Sequence, residues 1–401
     1  MAYVETSYQS WFGRIGNAIV GVLFGLILVP VSFIVLFWNE GRAVHTARTL
    51  EEGKSAVVSV EAGKVDPAHD GKLIHFTGQA IPAAGGKLDD SVFHVSADAI
   101  HLRRKVLMYL WKEEKHTEKH NNAIGGGTSE TTTYNYSKIW SNDPIDSTNF
   151  KEAGHTNPSR WRIESHTIDA PAVTAGAFTL NRELVSRIDD FTPVTVSTDT
   201  INSLSDDLKG DARYADNAIY LSNETGRKPD PNSPQVGDLK IAFEAALPGD
   251  VSVIAKQTGS NLEPYQTKNN ALQLLYIGSH SAEEMFKSEQ VRNGRITWIL
   301  RGCGFLAMWI GLALILSPLR VLTSVIGIVG DLVGAGIGLV TGIIAVAGSF
   351  VTIAIAWIAY RPVIGVGLLI VAGCAIALLL VMRSKAAMLR KGVVTGQLVS
   401  R

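Results

Sequence analysis

Ile15-Gly-Asn-Ala-Ile-Val-Gly-Val-Leu-Phe-Gly-Leu-Ile-Leu-Val-Pro-Val-Ser-Phe-Ile-Val-Leu-Phe-Trp38 is an apolar run without a single charge. A bilayer core needs about 20 such residues in a helix, so this stretch is long enough to span it. It is too long for the apolar region of a cleaved leader, and Asn39-Glu-Gly-Arg42 behind it offers no small-residue cleavage pattern. The run therefore reads as an uncleaved anchor. Trp11 and Trp38 flank it at headgroup level, and Pro30 is tolerated as a kink.

Working outward, three more apolar runs crowd the C-terminal part. They cover residues 296–316, closed by Ser317-Pro318, then 332–358, then 363–382 after the Tyr360-Arg361-Pro362 break. The piece between the first two, from Leu319 to Asp331, carries Arg320, Thr323 and Ser324 and reads as interfacial or re-entrant. The fold class that follows is an integral membrane α-helical protein with four spans in a 1+3 arrangement. A large β-rich α+β extracytoplasmic domain, residues 39–295, separates spans 1 and 2.

The 46% hydrophobic content suits a membrane part plus one sizeable domain. Lysine plus arginine and aspartate plus glutamate balance at 37 each, so no overall field recruits nucleic acid. Cys303 and Cys374 both lie in apolar runs, which leaves the hydrophilic domain without a disulfide framework or a cysteine-ligated zinc. Cationic residues set the expected orientation. Arg14 precedes the first run, Arg320 follows the second, and Arg383, Lys385, Arg390, Lys391 and Arg401 fill the tail, whereas the turn between the last two runs has Arg361 alone. By the positive-inside rule residues 1–14, the 317–331 segment and the 383–401 tail are cytoplasmic, and the domain lies across the membrane. A cysteine introduced at Ser129 that reacts only from the cytoplasmic side would overturn this topology.

Gly330, Gly334, Gly338 and Gly342 recur at every fourth position, and Ala345 and Gly348 continue the small-residue face. In lipid such a face lets another backbone approach closely, either within the chain or in a second copy. Asp331 is the acid beside these spans. It reads as a helix N-cap at the interface or, alternatively, as an intramembrane polar site of a channel or transporter.

In the domain, alternating runs predict strands over residues 72–81, 100–112, 131–140, 239–247, 251–257 and 272–277. The second and third read as a long hairpin with a glycine-rich tip at Gly125-Gly-Gly127 and an aromatic ladder of Tyr109, Trp111, Tyr134, Tyr136 and Trp140. Leu180, Leu184 and Ile188 form one face of a short helix, Ser281-Ala-Glu-Glu284 is a capping box, and residues 41–50 extend the first span. Gly71-Lys-Leu-Ile-His-Phe76 and Gly237-Asp-Leu-Lys-Ile-Ala-Phe243 share a phrase that either a diverged duplication or chance produces.

Chemistry is sparse. His116-Thr-Glu-Lys-His120 has metal-ligand spacing only on a helix and falls in the predicted hairpin, where it reads as a solvated strand. The acid pairs at 189–190, 206–207 and 283–284 are adjacent and point apart. There is no nucleophile elbow, phosphate loop or dinucleotide fingerprint. No catalytic residue, metal or cofactor is expected. Arg103, Arg104 and Lys105 form a basic cluster that reads as a solvated strand face or as a contact for anionic headgroups. Asn135 and Asn223 head glycosylation-type triplets of low specificity.

Several phrases together, in order, resemble the LUMA family, also called the transmembrane protein 43 family: Asn39-Glu-Gly-Arg-Ala43, Leu102-Arg-Arg-Lys-Val-Leu-Met-Tyr-Leu-Trp111, Asn149-Phe150 with Gly154-His-Thr-Asn-Pro-Ser159, Val236-Gly-Asp-Leu239, Ser281-Ala-Glu-Glu284 and Tyr360-Arg-Pro362. The resemblance covers nearly the whole chain. It implies four spans, a lumenal or periplasmic domain, self-association, and a role in organising membrane regions and membrane proteins. In animal members it also implies the endoplasmic reticulum and inner nuclear membrane, with emerin and lamins as partners; in a prokaryote the cytoplasmic membrane is expected. It brings no catalytic residues. The expected function is a non-enzymatic multi-pass scaffold that forms homo-oligomers among membrane lipids and other membrane proteins. A channel or transporter is the alternative, and an envelope- or lipid-modifying enzyme the third reading.

Overall fold

The computed structural model describes residues 2–83, 85, 87–121, 127–325 and 327–363. The fourth apolar run beyond Val363, the basic tail 383–401 and most of the hairpin tip lie outside the described residues. The chain divides into two compact units. One holds Met1–Ser10, Arg48–Asn122 and Gly127–Gln290, the other Trp11–Ala47 and the chain from Val291 onward.

In the helical unit the first apolar run lies within α1 (Trp11–Ala56), a single helix of 46 residues with Pro30 inside it. Next to the proline, the Ser32 hydroxyl donates to the Val29 carbonyl at 2.6 Å. The second and third spans belong to α2 (Ala282–Ile315) and α4 (Gly327–Tyr360), with the short α3 (Ser317–Thr323) between them. Pro318 enters the first turn of α3, where its missing N–H costs no bond. The segment expected as interfacial is thus a helix followed by the first turn of α4. Three helices among the described residues are long and apolar enough to cross a membrane. Ile19, Leu23, Phe24, Ile27 and Ile34 of α1 stay exposed, as side chains that face lipid do.

Close backbone contact in this unit is made by glycines of α1 and α2. A methyl at Gly25 would fall 2.6 Å from the Gly311 carbonyl oxygen, and one at Gly304 would fall 2.6 Å from the Leu36 side chain. Gly21 and Gly25 form the small-x-x-x-small pair that permits such a crossing.

The other unit is built on two sheets. The eight-stranded sheet runs β1 (Ala2–Gln9), β4 (Thr128–Ser141), β3 (His101–Asn121), β5 (Asp238–Ala246), then Ala218–Ser222 and Ala212–Ala215, each antiparallel to the next. The seven-stranded sheet centres on β2 (Leu73–Pro82) and β6 (Gly249–Thr258), paired with Phe76 opposite Val253. One core draws on both: Leu102, Val106, Met108, Leu239, Ile241 and Phe243 from the first, Ile74, Phe76, Phe178, Val251 and Val253 from the second. Alternation along β5 decides its inward face, since residues 239, 241 and 243 share one side of a strand. A second cluster packs Leu50, Met285 and Phe286 on Leu73, Ile254 and Leu274. Gly53 is required there, because a methyl would meet Leu272 at 2.2 Å.

Most expected strands are present, and the hairpin is longer than expected. Three readings are corrected. The helix through Leu180, Leu184 and Ile188 shrinks to one turn, Arg182–Val185, capped by the Asn181 side chain, because Leu180 closes the strand Phe178–Leu180. All three side chains are buried nonetheless. Residues 1–14 are read without a strand from the sequence, and the structure gives them one: β1 pairs with β4 from Ala2 opposite Asn135 to Gln9 opposite Thr128. Finally, Asp331 lies one turn inside α4, not at its N-cap.

Candidate functional site: a buried polar cluster joining three helices

Just past the first apolar run, α1 presents Asn39, Glu40 and Arg42, and the first two are buried. Glu40 is 2% exposed and receives a two-pronged guanidinium from Arg301 of α2, with Nε to Oε1 at 2.6 Å and Nη2 to Oε2 at 2.8 Å. The Trp357 indole of α4 donates to the same Oε2 at 2.8 Å. The Arg301 guanidinium also lies 4.9 Å from the Trp298 ring centroid and 5.9 Å from that of Trp357. One carboxylate therefore holds partners from both other long helices. The fork geometry and the indole give its two oxygens three donors, which is the compensation a buried charge requires.

A ladder of polar contacts continues along α1 and α2. Asn293, Thr297 and Arg301 recur at every fourth residue and so share one face of α2. Asn39 donates to the Thr297 carbonyl at 3.1 Å, Arg42 donates to Asn293 Oδ1 and Thr297 Oγ1 at 3.0 Å each, and Asn293 donates back to the Ala43 carbonyl at 3.0 Å. On α4, Tyr360 fits against Gly41, where a methyl would come within 2.6 Å of its ring. Phe37 and His45 flank that glycine one turn to each side, with ring centroids 5.4 and 5.8 Å from Tyr360. The phrases Asn39-Glu-Gly-Arg-Ala43 and Tyr360-Arg-Pro362 are thus two halves of one contact.

Sequence reasoning missed this cluster. The available signal was Arg301, a charge inside the predicted 296–316 span, together with Glu40 at the end of the first.

The glycine row packs within the chain. A methyl at Gly330 would meet Ser324 at 2.6 Å, at Gly334 the Arg320 Nε at 2.5 Å, and at Gly342 the Trp309 indole at 3.4 Å, while Gly338 has open space. Asp331 faces Arg320 at 3.9 Å, with both side chains more than half exposed.

The basic cluster is not available to headgroups as a group. Arg104 is buried and donates to both oxygens of Asp90, at 2.7 and 2.9 Å, and to the Glu164 carbonyl at 3.0 Å. Arg103 pairs with Glu244 at 2.5 Å and covers the Phe191 ring, and Lys105 reaches Glu244 at 3.9 Å. The cause lies in the register, which sets Glu244 opposite Arg103 on the neighbouring strand.

The aromatic ladder is packed as well. Tyr109 meets its cross-strand partner Trp140 at 5.1 Å, Tyr136 stacks on His155 at 4.0 Å, and Trp111 meets the edge of the same imidazole at 4.4 Å. Asn157 accepts from the Trp111 amide at 2.8 Å and donates to its carbonyl at 2.9 Å, so its side chain replaces a strand neighbour. His116 and His120 are exposed on β3, each near Glu118. Among the described residues no group of three or more His, Cys, Asp or Glu side chains is placed to hold a metal. His75 is more telling: it meets the His280 carbonyl at 2.9 Å and Ser59 Oγ at 3.2 Å. Burial lowers its basicity, against a smaller opposing effect of the His280 carbonyl. The capping box forms, with the Glu284 amide donating to Ser281 Oγ at 3.3 Å, while the Ser281 amide and hydroxyl donate to Glu284 Oε2 at 2.9 and 3.0 Å and hold that carboxyl below its usual range.

Three apolar helices and a two-sheet domain define a membrane protein that carries one large folded domain. The chain belongs to the transmembrane protein 43 family: the family model described as "Transmembrane protein 43" matches residues 108–362. The chain is 35% identical over 396 residues to the Homo sapiens protein "Transmembrane protein 43", covering 95% of this chain and 94% of that one. It is 35% identical over 362 residues to the Rattus norvegicus protein of the same name, covering 87% and 86%. It is 33% identical over 357 residues to the Drosophila melanogaster "Transmembrane protein 43 homolog", covering 87% and 91%. No solved structure matches the chain.

Proposed function

We propose that this chain is a non-enzymatic membrane scaffold that self-associates through its domain and gathers membrane proteins and lipids around a fixed helical anchor. The observation that carries the reading is the open end of the eight-stranded sheet. β1 is the terminal strand, and no strand among the described residues pairs with its outer edge. Val4 and Tyr8 on it are 56% and 65% exposed. An uncovered edge with apolar side chains is a template for pairing with another chain. The polar cluster around Glu40 supports the second half of the reading, because it fixes three helices to one another.

No observation favours a conduction path: Gly334 and Gly342 face Arg320 and Trp309, and Asp331 faces Arg320. The test is size determination by light scattering on detergent-solubilised protein, with crosslinking in native membranes. Multimers that Val4→Lys and Tyr8→Lys dissolve are expected. A monomeric wild type, or multimers indifferent to both changes, would refute the proposal.

A further inference from the structure

A hollow of about 430 Å³ lies in the two-sheet unit, within the range of about 300–1,000 Å³ usual for small-molecule sites. The connection between β4 and the strand His166–Asp169 lines it, with Asn142, Pro144, Arg160, Trp161, Glu164 and Ser165 among the walls. This connection has neither helix nor strand, yet side chains tie its backbone down. Asn223 bridges the two sides of Trp161: its Oδ1 accepts from the Arg162 amide at 2.8 Å and its Nδ2 donates to the Arg160 carbonyl at 3.0 Å. The Glu164 carbonyl accepts from Arg104 Nε and Ser165 Oγ from the Val106 amide, both at 3.0 Å. Beside Pro144, the Ile145 carbonyl accepts from the Asn157 carboxamide at 3.2 Å. A site held in this way binds without first having to order a loop.

The functional ends on that backbone are left free. Among the described residues the Arg160 guanidinium, the Glu164 carboxylate and the Asn142 carboxamide have no hydrogen-bond or ion-pair partner, although all three line one hollow. The Ser165 hydroxyl accepts from Val106 and keeps its proton to donate. Trp161 packs against the domain core and its Nε1 is buried, so what its side chain shows the hollow is carbon. Pro144 adds a second apolar ring.

These walls select the occupant by elimination. A simple anion drawn to Arg160 shares the hollow with Glu164, and a simple cation drawn to Glu164 shares it with Arg160. An aliphatic ligand would strip water from both charges and return no hydrogen bond. A zwitterion answers the two charges but leaves the indole and proline carbon uncovered. A neutral ring bearing hydroxyl groups answers every wall. Each hydroxyl donates and accepts, as carboxylate, guanidinium, carboxamide and serine require, and the C–H face of the ring covers the flat carbon surface. We infer that this hollow is a binding site for a neutral pyranose saccharide, with its ring against Trp161 and its hydroxyls on Asn142, Arg160 and Glu164. The inference is independent of self-association through β1.

The experiment is saturation-transfer difference NMR of the full chain in nanodiscs, titrated with trisaccharides of glucose, galactose, mannose or N-acetylglucosamine, and separately with free glutamine as the zwitterion. At least one trisaccharide should bind, and its affinity should change less than about twofold between about 0.05 and 0.5 M salt, because a neutral ligand has no charge to screen. Arg160→Ala and Glu164→Ala should each weaken it about tenfold, the loss of a hydrogen bond to a charged group. Glu164→Gln should lose less, since a carboxamide still accepts from a hydroxyl. Both positions are exposed, so these variants leave the core intact. Failure of every trisaccharide to bind overturns the inference, as does glutamine bound in their place or sugar binding that survives both alanine changes. The same sugar on a diacylglycerol in the nanodisc then separates the sources. Displacement of the bound trisaccharide supports the site with a glycolipid headgroup as its occupant, and no displacement supports it with a soluble or polymer-borne saccharide.

Discussion

Asp90 in the domain and Glu40 in the helical unit are both carboxylates at 2% exposure or less, each held by an arginine, yet their partners differ in reach. Asp90 accepts from Arg104, 14 residues away, and from the amides of Val92 and Phe93 at 3.0 Å each. It stitches a turn onto the adjoining strand. Glu40 accepts from Arg301 and Trp357, 261 and 317 residues away, and ties three helices together. The domain has a two-sheet apolar core to hold its distant parts, so its ion pair is left with local work. Between spans in lipid the hydrophobic effect supplies no comparable drive, and close packing with polar contacts takes its place.

The largest expected effect separates the two pairs. Removing one partner of a buried pair costs about 3–5 kcal/mol, because the other charge is left without compensation. Arg104→Ala should lower the melting temperature of the β-rich unit and leave α1–α2 crosslinks unchanged. Arg301→Ala should do the reverse, loosening those α1–α2 crosslinks, read between cysteines placed away from the Gly25–Gly311 contact, while the sheet signal in circular dichroism persists. Loss of both signals in either variant breaks the distinction.

A smaller effect sharpens it. Gly41→Val places side-chain atoms where the Tyr360 ring lies, and overpacking of this kind costs about 1–3 kcal/mol. Its effect should be confined to the helical unit, and Tyr360→Ala in the same chain should recover part of the loss. Failure of that rescue would mean that Gly41 matters for another reason.

The smallest effect belongs to the domain alone. Burial lowers the His75 pKa below its ordinary 6.5, so the unfolded chain binds more protons than the folded one between the two values. Stability is therefore full above about pH 6.5 and falls as the pH drops below it. Denaturant midpoints should fall on acidification to pH 5.5, and His75→Gln should flatten that part of the curve. A wild-type midpoint that rises on acidification contradicts the assignment.

How much of this was legible in the sequence follows from the same division. Strands such as β5 were readable because alternation at 239, 241 and 243 is a local pattern, and the capping box was readable because its partners are three residues apart. The one-turn helix at Arg182–Val185 was over-read because Leu180, Leu184 and Ile188 are inward from a strand, a turn and a loop alike. Arg103, Arg104 and Lys105 looked like one basic patch because a single sequence does not reveal that β5 brings Glu244 alongside. The α4 glycines drew attention through their regular spacing, whereas Gly304 and Gly311 lie seven residues apart and meet Leu36 and Gly25 of α1 from the far end of the chain. The Glu40 cluster was hidden for the same reason: its charges lie 261 residues apart, and only the crossing of α1 and α2 brings them together.

The central claim is that Glu40 and Arg301 act as one unit that holds the spans. It is tested most directly by a double-mutant cycle of Glu40→Ala, Arg301→Ala and both, read as unfolding free energy of the full chain in detergent. The account predicts that the double variant is no less stable than the worse single one, with a coupling of about 3 kcal/mol. Single losses that simply add would contradict it.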